Sequence, residues 1–145
     1  MPRTIIENGV PRDATAEEEA QFDADAAADA APRIARAIIA AKIKRDCLAG
    51  LTVWDGSPFQ TRPEDGPNIL GAVLAVQGGQ WPTAGVPWRL ADNSWRTLAA
   101  ADVLAVFAAA SARRAACFAA FGADEVHLQS GGTGTPALDA LAAAQ

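Results

Sequence analysis

The stretch "VPWRLADNSWRTLAAADVLAVFAAASARRAACFAAF", residues 86–121, decides the fold class. Two short runs, 86–90 and 94–98, flank Asp92-Asn93, a turn pair that predicts a β-hairpin, with Trp88 and Trp95 paired across its strands. Apolar side chains then recur at helical spacing as far as Phe121, where Gly122 predicts the end of a long helix. A hairpin that leads into a long helix favours a mixed α+β fold.

The residues upstream of this stretch predict the rest of the domain. A hairpin is expected over 51–61, because Asp55-Gly56 is a strong two-residue turn signal. Helices are expected near 33–49, where Pro32 suits the first turn, and near 66–77, where Gly78-Gly79 follows. The sequence therefore predicts an α+β fold, in which a small antiparallel sheet of two hairpins packs against three helices near 33–49, 66–77 and 100–121.

The two ends of the chain predict extensions from this domain. A short strand or hairpin is expected over 2–13, and a capping box at Thr15 predicts a helix over 16–30, in which Phe22 is the only large apolar residue. Residues 129–135 have the composition of a flexible linker, and 136–145 carry a short helical pattern that either frays or docks. We expect three segments: an N-terminal arm with an acidic helix (1–32), an α+β domain (33–128), and a linker with a short C-terminal helix (129–145).

Charge and hydropathy exclude several partners. The formal net charge is −5, and much of the acid lies near the N-terminus, which argues against nucleic-acid binding. The longest apolar run, 99–110, is interrupted by Asp102 and followed by Arg113-Arg114, so no membrane span is expected. The first 13 residues lack the apolar core of a secretory signal, which favours synthesis in the cytoplasm.

Residues with catalytic or metal-binding chemistry are few. His127 is the only histidine, and it is expected on a short strand-like or loop segment with no second ligand at metal-binding spacing. Cys47 and Cys117 lie in helical apolar patterns and are expected to be small buried side chains. No acid and base are matched for catalysis. We therefore expect no enzyme, no cofactor and no metal.

Aromatic and apolar residues outside the predicted core are candidates for protein contacts. Trp81 lies in a loop between glycines and Pro82, and Trp54 lies beside the Asp55-Gly56 turn. Indole side chains often anchor protein interfaces and also stack on sugar rings. The candidate interaction residues are, in order along the chain, Phe22, Trp54, Trp81, Leu138 and Leu141.

Residues 86–104 and 113–118, with the order of elements over 33–128, resemble a domain of unknown function that is common in tailed phages and prophages, DUF4376. Residues 7–19 are similar to segments of small proteins encoded beside phage tail-fibre genes. Ala99 stands where that family usually has Thr or Ser at the start of the last helix, which weakens the expected cap.

This resemblance implies a structural component of a bacteriophage tail, at the baseplate, tail tip or fibre junction, that acts through protein–protein contacts. One alternative is a tail-fibre assembly chaperone that is absent from the mature virion. Another is a carbohydrate-binding module that uses Trp54 and Trp81. The expected partners are other tail or tail-fibre proteins and further copies of this chain, and the expected location is the virion tail. The resemblance carries no catalytic residue over to this chain.

Overall fold

A computed structural model describes residues 3–144 and contains both helices and strands, which confirms the α+β fold class. The α-helices are α1 (Ala16–Ala49), α2 (Gly66–Gln77), α3 (Ala100–Gln129) and α4 (Pro136–Ala143), and a single 3₁₀ turn spans Pro63–Asp65. The strands are β1 (Thr4–Glu7), β2 (Val10–Asp13), β3 (Leu51–Trp54), β4 (Ser57–Gln60), β5 (Val86–Arg89) and β6 (Trp95–Leu98).

The described strands form three separate antiparallel hairpins, β1–β2, β3–β4 and β5–β6. The predicted hairpins at 51–61 and 86–98 are confirmed, but they do not join into one sheet, because each four-residue strand pairs only with its sequence neighbour. Asp55 and Asn93 take the positive φ angles that tight turns require. The predicted pair of Trp88 and Trp95 is wrong, since Trp88 lies opposite Arg96 and successive side chains point to opposite faces.

Helix α1 is one continuous helix of 34 residues, whereas the sequence predicted two helices on either side of residue 31. It begins at the predicted capping box: Glu18 N–H donates to Thr15 Oγ1 (3.2 Å), and Thr15 N–H donates to a Glu18 carboxylate oxygen (2.8 Å). Pro32 lies inside the helix and lacks an N–H, but it is exposed, so water can solvate the carbonyl it leaves unpaired. The predicted domain boundary at 32/33 therefore falls within α1.

The body of the protein has two apolar cores that share α3. The first core lies among the hairpins β3–β4 and β5–β6, α2 and the beginning of α3; its buried residues are Phe59, Ala72, Val73, Leu90, Leu98, Val103 and Val106. The second core lies among the C-terminal half of α1, the end of α3, and α4; its buried residues are Ala41, Phe121, Leu128 and Leu138. Because α3 contributes to both cores, it holds the two parts of the body together.

Helix α3 continues well beyond its predicted end at Phe121. Gly122 is tolerated inside the helix because buried positions recur after it, at Asp124 and Leu128. His127 consequently lies on α3 and not on a strand-like segment or loop. Its ring contacts the chain after α3, where Nε2 is 3.1 Å from the carbonyl oxygen of Thr133.

The C-terminal segment docks on the body, which was one of its two predicted outcomes. The side chain of Asp124 on α3 is 1% exposed, and its two carboxylate oxygens accept hydrogen bonds from the N–H groups of Ala137 and Leu138, both at 2.9 Å. Thr135 precedes α4 but makes no side-chain capping bond. Asp124 therefore supplies, from another helix, the acceptors that the first turn of α4 lacks.

The two cysteines differ in exposure. Cys117 is buried as predicted, but Cys47 is exposed, because its position on α1 faces away from the second core.

By length and composition alone α3 could cross a membrane, with a mean hydropathy of 1.5 over 18 residues, of which 17% are buried. Core helices of soluble proteins, which are mostly buried, meet the same criterion, and α3 contributes residues to both cores although only a small share of this window is buried. That the protein has no membrane partner stays a prediction.

Candidate protein-interaction site

The N-terminal half of α1 projects from the body as an arm, which we define as residues 3–33. Every residue from Ala20 to Asp29 is exposed, and the N-terminal strand segment reaches this part of the helix through Arg3, which pairs with Asp23 at 2.9 Å. Phe22, a predicted contact residue, is 37% exposed, and the guanidinium of Arg3 lies 5.6 Å from its ring centroid. The arm thus presents a helix whose sides are available to another protein.

Ion pairs attach the β1–β2 hairpin to the first turn of α1. The guanidinium of Arg12 donates to both carboxylate oxygens of Glu18, at 2.7 and 2.8 Å, and also to Glu7. The hydrogen bonds from Arg12, followed by the N–H of Thr15, lower the pKa of Glu18 to about 2. Two parallel N–H···O bonds to one carboxylate fix the relative orientation of both groups. The hairpin is therefore part of the arm.

A groove of about 570 Å³, the tryptophan groove, lies between α2 and the β5–β6 hairpin. Trp81 and Trp88 line it, and small residues of α2, including Gly71 and Ala75, leave space between them. The indole N–H of Trp81 donates to the carbonyl oxygen of Leu98 at 3.0 Å, which orients the ring. The groove is therefore bordered by one indole whose polar atom is already satisfied and by a second from the hairpin.

Polar side chains at the rim of the tryptophan groove are free to bind. Among residues 3–144, the amide of Asn68 and the guanidinium of Arg89 have no hydrogen-bond or ionic partner. Asp65 is engaged: the guanidinium of Arg62 donates to it and holds the pKa of its carboxyl below the usual value. Within the described residues, the rim thus has an unpaired amide, that of Asn68, and an unpaired cation, that of Arg89, beside the indole rings.

Two of the predicted contact residues lie at or near exposed surface. Trp81 lines the tryptophan groove, as a contact residue would. Trp54 packs edge-on against Phe59, with ring centroids 6.2 Å apart, and the guanidinium of Arg96 lies over its ring at 4.8 Å. Trp54 does not line the tryptophan groove, so the structure does not bring the two predicted indoles into one pocket.

The two C-terminal leucines belong to the body of this chain. Leu138 has 0% exposure and packs in the second core, which corrects the expectation that it contacts a partner. Leu141 is half-buried, and its carbonyl oxygen accepts a hydrogen bond from Arg113 at 3.2 Å. The helical pattern around both residues was recognised, but the neighbouring helices that would cover it were not.

Sequence reasoning missed two exposed apolar pairs. Ile39 and Ile43, which lie on the predicted helix near 33–49, are 58% and 60% exposed on α1. Leu70 and Leu74 on α2 are also about half exposed. The signal that could have identified them was present, because both helices carry more apolar positions than one face can hold.

No metal-binding group stands out in the described part of the chain. Within residues 3–144 no three His, Cys, Asp or Glu side chains lie close enough together to hold a metal ion. That the protein is not an enzyme remains a prediction.

These features define a class: a small α+β protein with two cores on one shared helix, a projecting helical arm and an open aromatic groove. The family described as a domain of unknown function, DUF4376, matches residues 30–125, more than half of the chain. The chain belongs to this family. The match includes the tryptophan groove and leaves out most of the arm and all of α4. Neither a curated protein nor a solved structure matches the chain.

Proposed function

We propose that this protein is a structural component of a bacteriophage tail, at the baseplate, tail tip or fibre junction, and that it acts through protein–protein contacts. The observation that carries the proposal is the arm, whose helix is exposed on all sides from Ala20 to Asp29. The sequence of an unpacked helix contributes little to its stability, because most helical stability in proteins comes from packing. Contact with a neighbouring subunit supplies that packing.

The rest of the surface supports the same role. Leu70 and Leu74 on α2 add exposed apolar area outside the arm, and the tryptophan groove adds aromatic area with an uncommitted cation, Arg89. Interfaces are enriched in aromatic residues and arginine. The phage context comes from the family resemblance, including the short N-terminal segment similar to proteins encoded beside tail-fibre genes. The partners are then tail or tail-fibre proteins in the virion.

Quantitative mass spectrometry of purified, mature phage particles tests this proposal. A structural component is present at a fixed ratio to the major tail proteins in every preparation, and it remains bound after high-salt washing. An assembly chaperone, the alternative function, is instead recovered with fibre protein from infected-cell lysates. Absence from the particles would contradict the structural role and favour the chaperone.

The tryptophan groove is the one observation that favours a carbohydrate-binding function. Its indoles, Trp81 and Trp88, have free polar neighbours of the kind that bind sugar hydroxyls, whereas Trp54 is covered by Arg96. Oligosaccharide that quenches tryptophan fluorescence in the native protein, and not in the Trp81→Ala variant, would support this function. Unchanged fluorescence across neutral and acidic oligosaccharides would argue against it.

A further inference from the structure

The C-terminal half of α1 is apolar on two opposite sides, and only one of them is covered. Ile38 and Ala41 face the second core. Ile39 and Ile43 lie one turn apart on the other side, at 58% and 60% exposure. Large apolar side chains on the outside of a helix favour burial against another surface. Within residues 3–144, nothing buries Ile39 and Ile43 on the outer side of α1.

The exposed isoleucines continue a regular stripe that runs along α1 from residue 22 to residue 43. Steps of three and four residues connect seven exposed positions on the outer side of α1, which we call the outer stripe: Phe22, Asp25, Asp29, Pro32, Arg36, Ile39 and Ile43. Positions in contact between two paired helices alternate in steps of three and four, and here the two ends of the stripe are apolar while charged residues lie between them. The outer stripe is about 32 Å long at 1.5 Å per residue.

The two halves of α1 carry opposite charge. Between residues 16 and 32 the helix has six carboxylates and no lysine or arginine, whereas its second half contains Arg33, Arg36, Lys42, Lys44 and Arg45. Lys44 pairs with Asp139 and Arg45 with Asp46. Among the described residues Arg33, Arg36, Lys42 and Asp29 have no ionic partner. The helix thus offers both members of an ion pair and satisfies neither within the chain.

We propose that two copies of this chain associate through the outer stripes of their α1 helices, in antiparallel orientation about a two-fold axis. The axis passes near the Pro32–Arg33 bond, because the midpoint between Phe22 and Ile43 along the helix and the midpoint between Asp29 and Arg36 both fall there. Phe22 of each copy packs on Ile43 of the other, and Asp29 pairs with Arg36. These two pairings are self-complementary, as a two-fold interface requires, and Asp25 comes beside Ile39 of the other copy. A parallel pair would place like charges together.

The rest of the fold leaves room for this pairing. The second core, with α3 and α4, lies on the opposite side of α1 from Ile39 and Ile43. In the antiparallel arrangement each body lies beside the acidic half of the other α1. The dimer does not rest on the proposed tail function, because a chaperone or a sugar-binding protein of this sequence would carry the same outer stripe.

Light scattering after gel filtration and sedimentation velocity, both on the full chain, test the proposal. The native protein is expected to be a dimer at high micromolar concentration. Ile43→Asp should raise the dimer dissociation constant at least tenfold, because it places a charge in the apolar end of the contact. Leu74→Asp is the matched control: it changes a side chain of equal exposure, 59% against 60%, on α2 and should leave the constant unchanged. Circular dichroism confirms that each variant is folded.

Charge reversal tests the orientation. Arg36→Glu should weaken the dimer, since it places a second carboxylate against Asp29, and the double variant Asp29→Arg/Arg36→Glu should restore native affinity. In a parallel dimer the single reversal would merely exchange one like-charge contact for another, and no restoration would follow. A monomeric native protein, an unaffected Ile43→Asp dimer or a double variant that fails to recover would each overturn the proposal.

Discussion

Replacement of Asp124 tests how the C-terminal helix is held. Asp124 is almost fully buried, and its two oxygens each accept one N–H of the first turn of α4. Alanine removes both acceptors and leaves two N–H groups without partners. Asparagine keeps the size of the side chain and one acceptor oxygen, but it loses the negative charge that favours a helix N-terminus.

The expected loss of folding stability in the Asp124 variants depends on the energies of the two hydrogen bonds and on the docking of α4. A hydrogen bond to a charged group contributes roughly 1.5–3 kcal/mol net, so the loss of both in Asp124→Ala should cost about 3–6 kcal/mol, and Asp124→Asn about half of that. The free energy of docking α4 sets the upper limit of this loss. Leu138→Ala removes a fully buried side chain of the same helix, should cost about 2–5 kcal/mol, and so measures the docking independently. Eight residues cannot stay helical alone, so loss of the cap should release α4.

Urea unfolding and hydrogen exchange provide the assay. The four tryptophans lie between residues 54 and 95, and three of them border the first core, so fluorescence follows that core while circular dichroism follows all helices. We expect faster amide exchange in α4 and an earlier dichroism transition. Asp139→Asn, on the exposed side of α4, is the matched control and should cost less than about 1 kcal/mol. Losses below about 0.5 kcal/mol for both Asp124 variants would refute the reasoning.

Two further predictions concern the arm and the first core. Because the folded pKa of Glu18 is lowered, its pairing stabilises the arm above the ordinary carboxyl pKa, and this contribution is lost as pH falls from there to about 2. Arg12→Ala should raise that pKa towards its ordinary value, while the Thr15 N–H still holds it below that value; NMR titration measures it, and an unchanged pKa would contradict the pairing. Gly85→Ala should destabilise by roughly 1–3 kcal/mol, because φ is +78° and the new Cβ would lie 2.8 Å from Leu98 O. Gly71→Ala, in open space on α2, should instead stabilise by up to about 1 kcal/mol in the same urea assay, and similar effects at both glycines would contradict the steric argument.

Elements with a local signal were predictable from the sequence. The turns at Asp55 and Asn93 and the capping box at Thr15 each depend on residues within a few positions of one another. Neighbouring side chains and backbone conformations determine such features before any tertiary contact forms. Trp81 lines the tryptophan groove, and its role as a contact residue stays a prediction.

Other features depend on contacts between distant residues, and local patterns misjudged them. Pro32 and Gly122 are helix-ending signals by propensity, yet both helices continue through them. At Gly122 the reason is the buried positions that follow it on α3, which outweigh the helix propensity of one glycine. The register that separates Trp88 from Trp95 was also decided by strand pairing across the loop between β5 and β6. Asp124 gave no signal at all, since its partners lie 13 and 14 residues further along the chain.

The sequence by itself determined the α+β class, two hairpins of the body, the start of α1 and the acidic character of the arm. Only the tertiary structure decided which apolar residues are covered: Leu138 is buried, where the sequence left its helix either to fray or to dock, and Ile43 on α1 is exposed. The physical reason is that helical periodicity identifies apolar positions but not the helix that packs against them. Burial is a property of two surfaces, and one chain segment contains only one of the two.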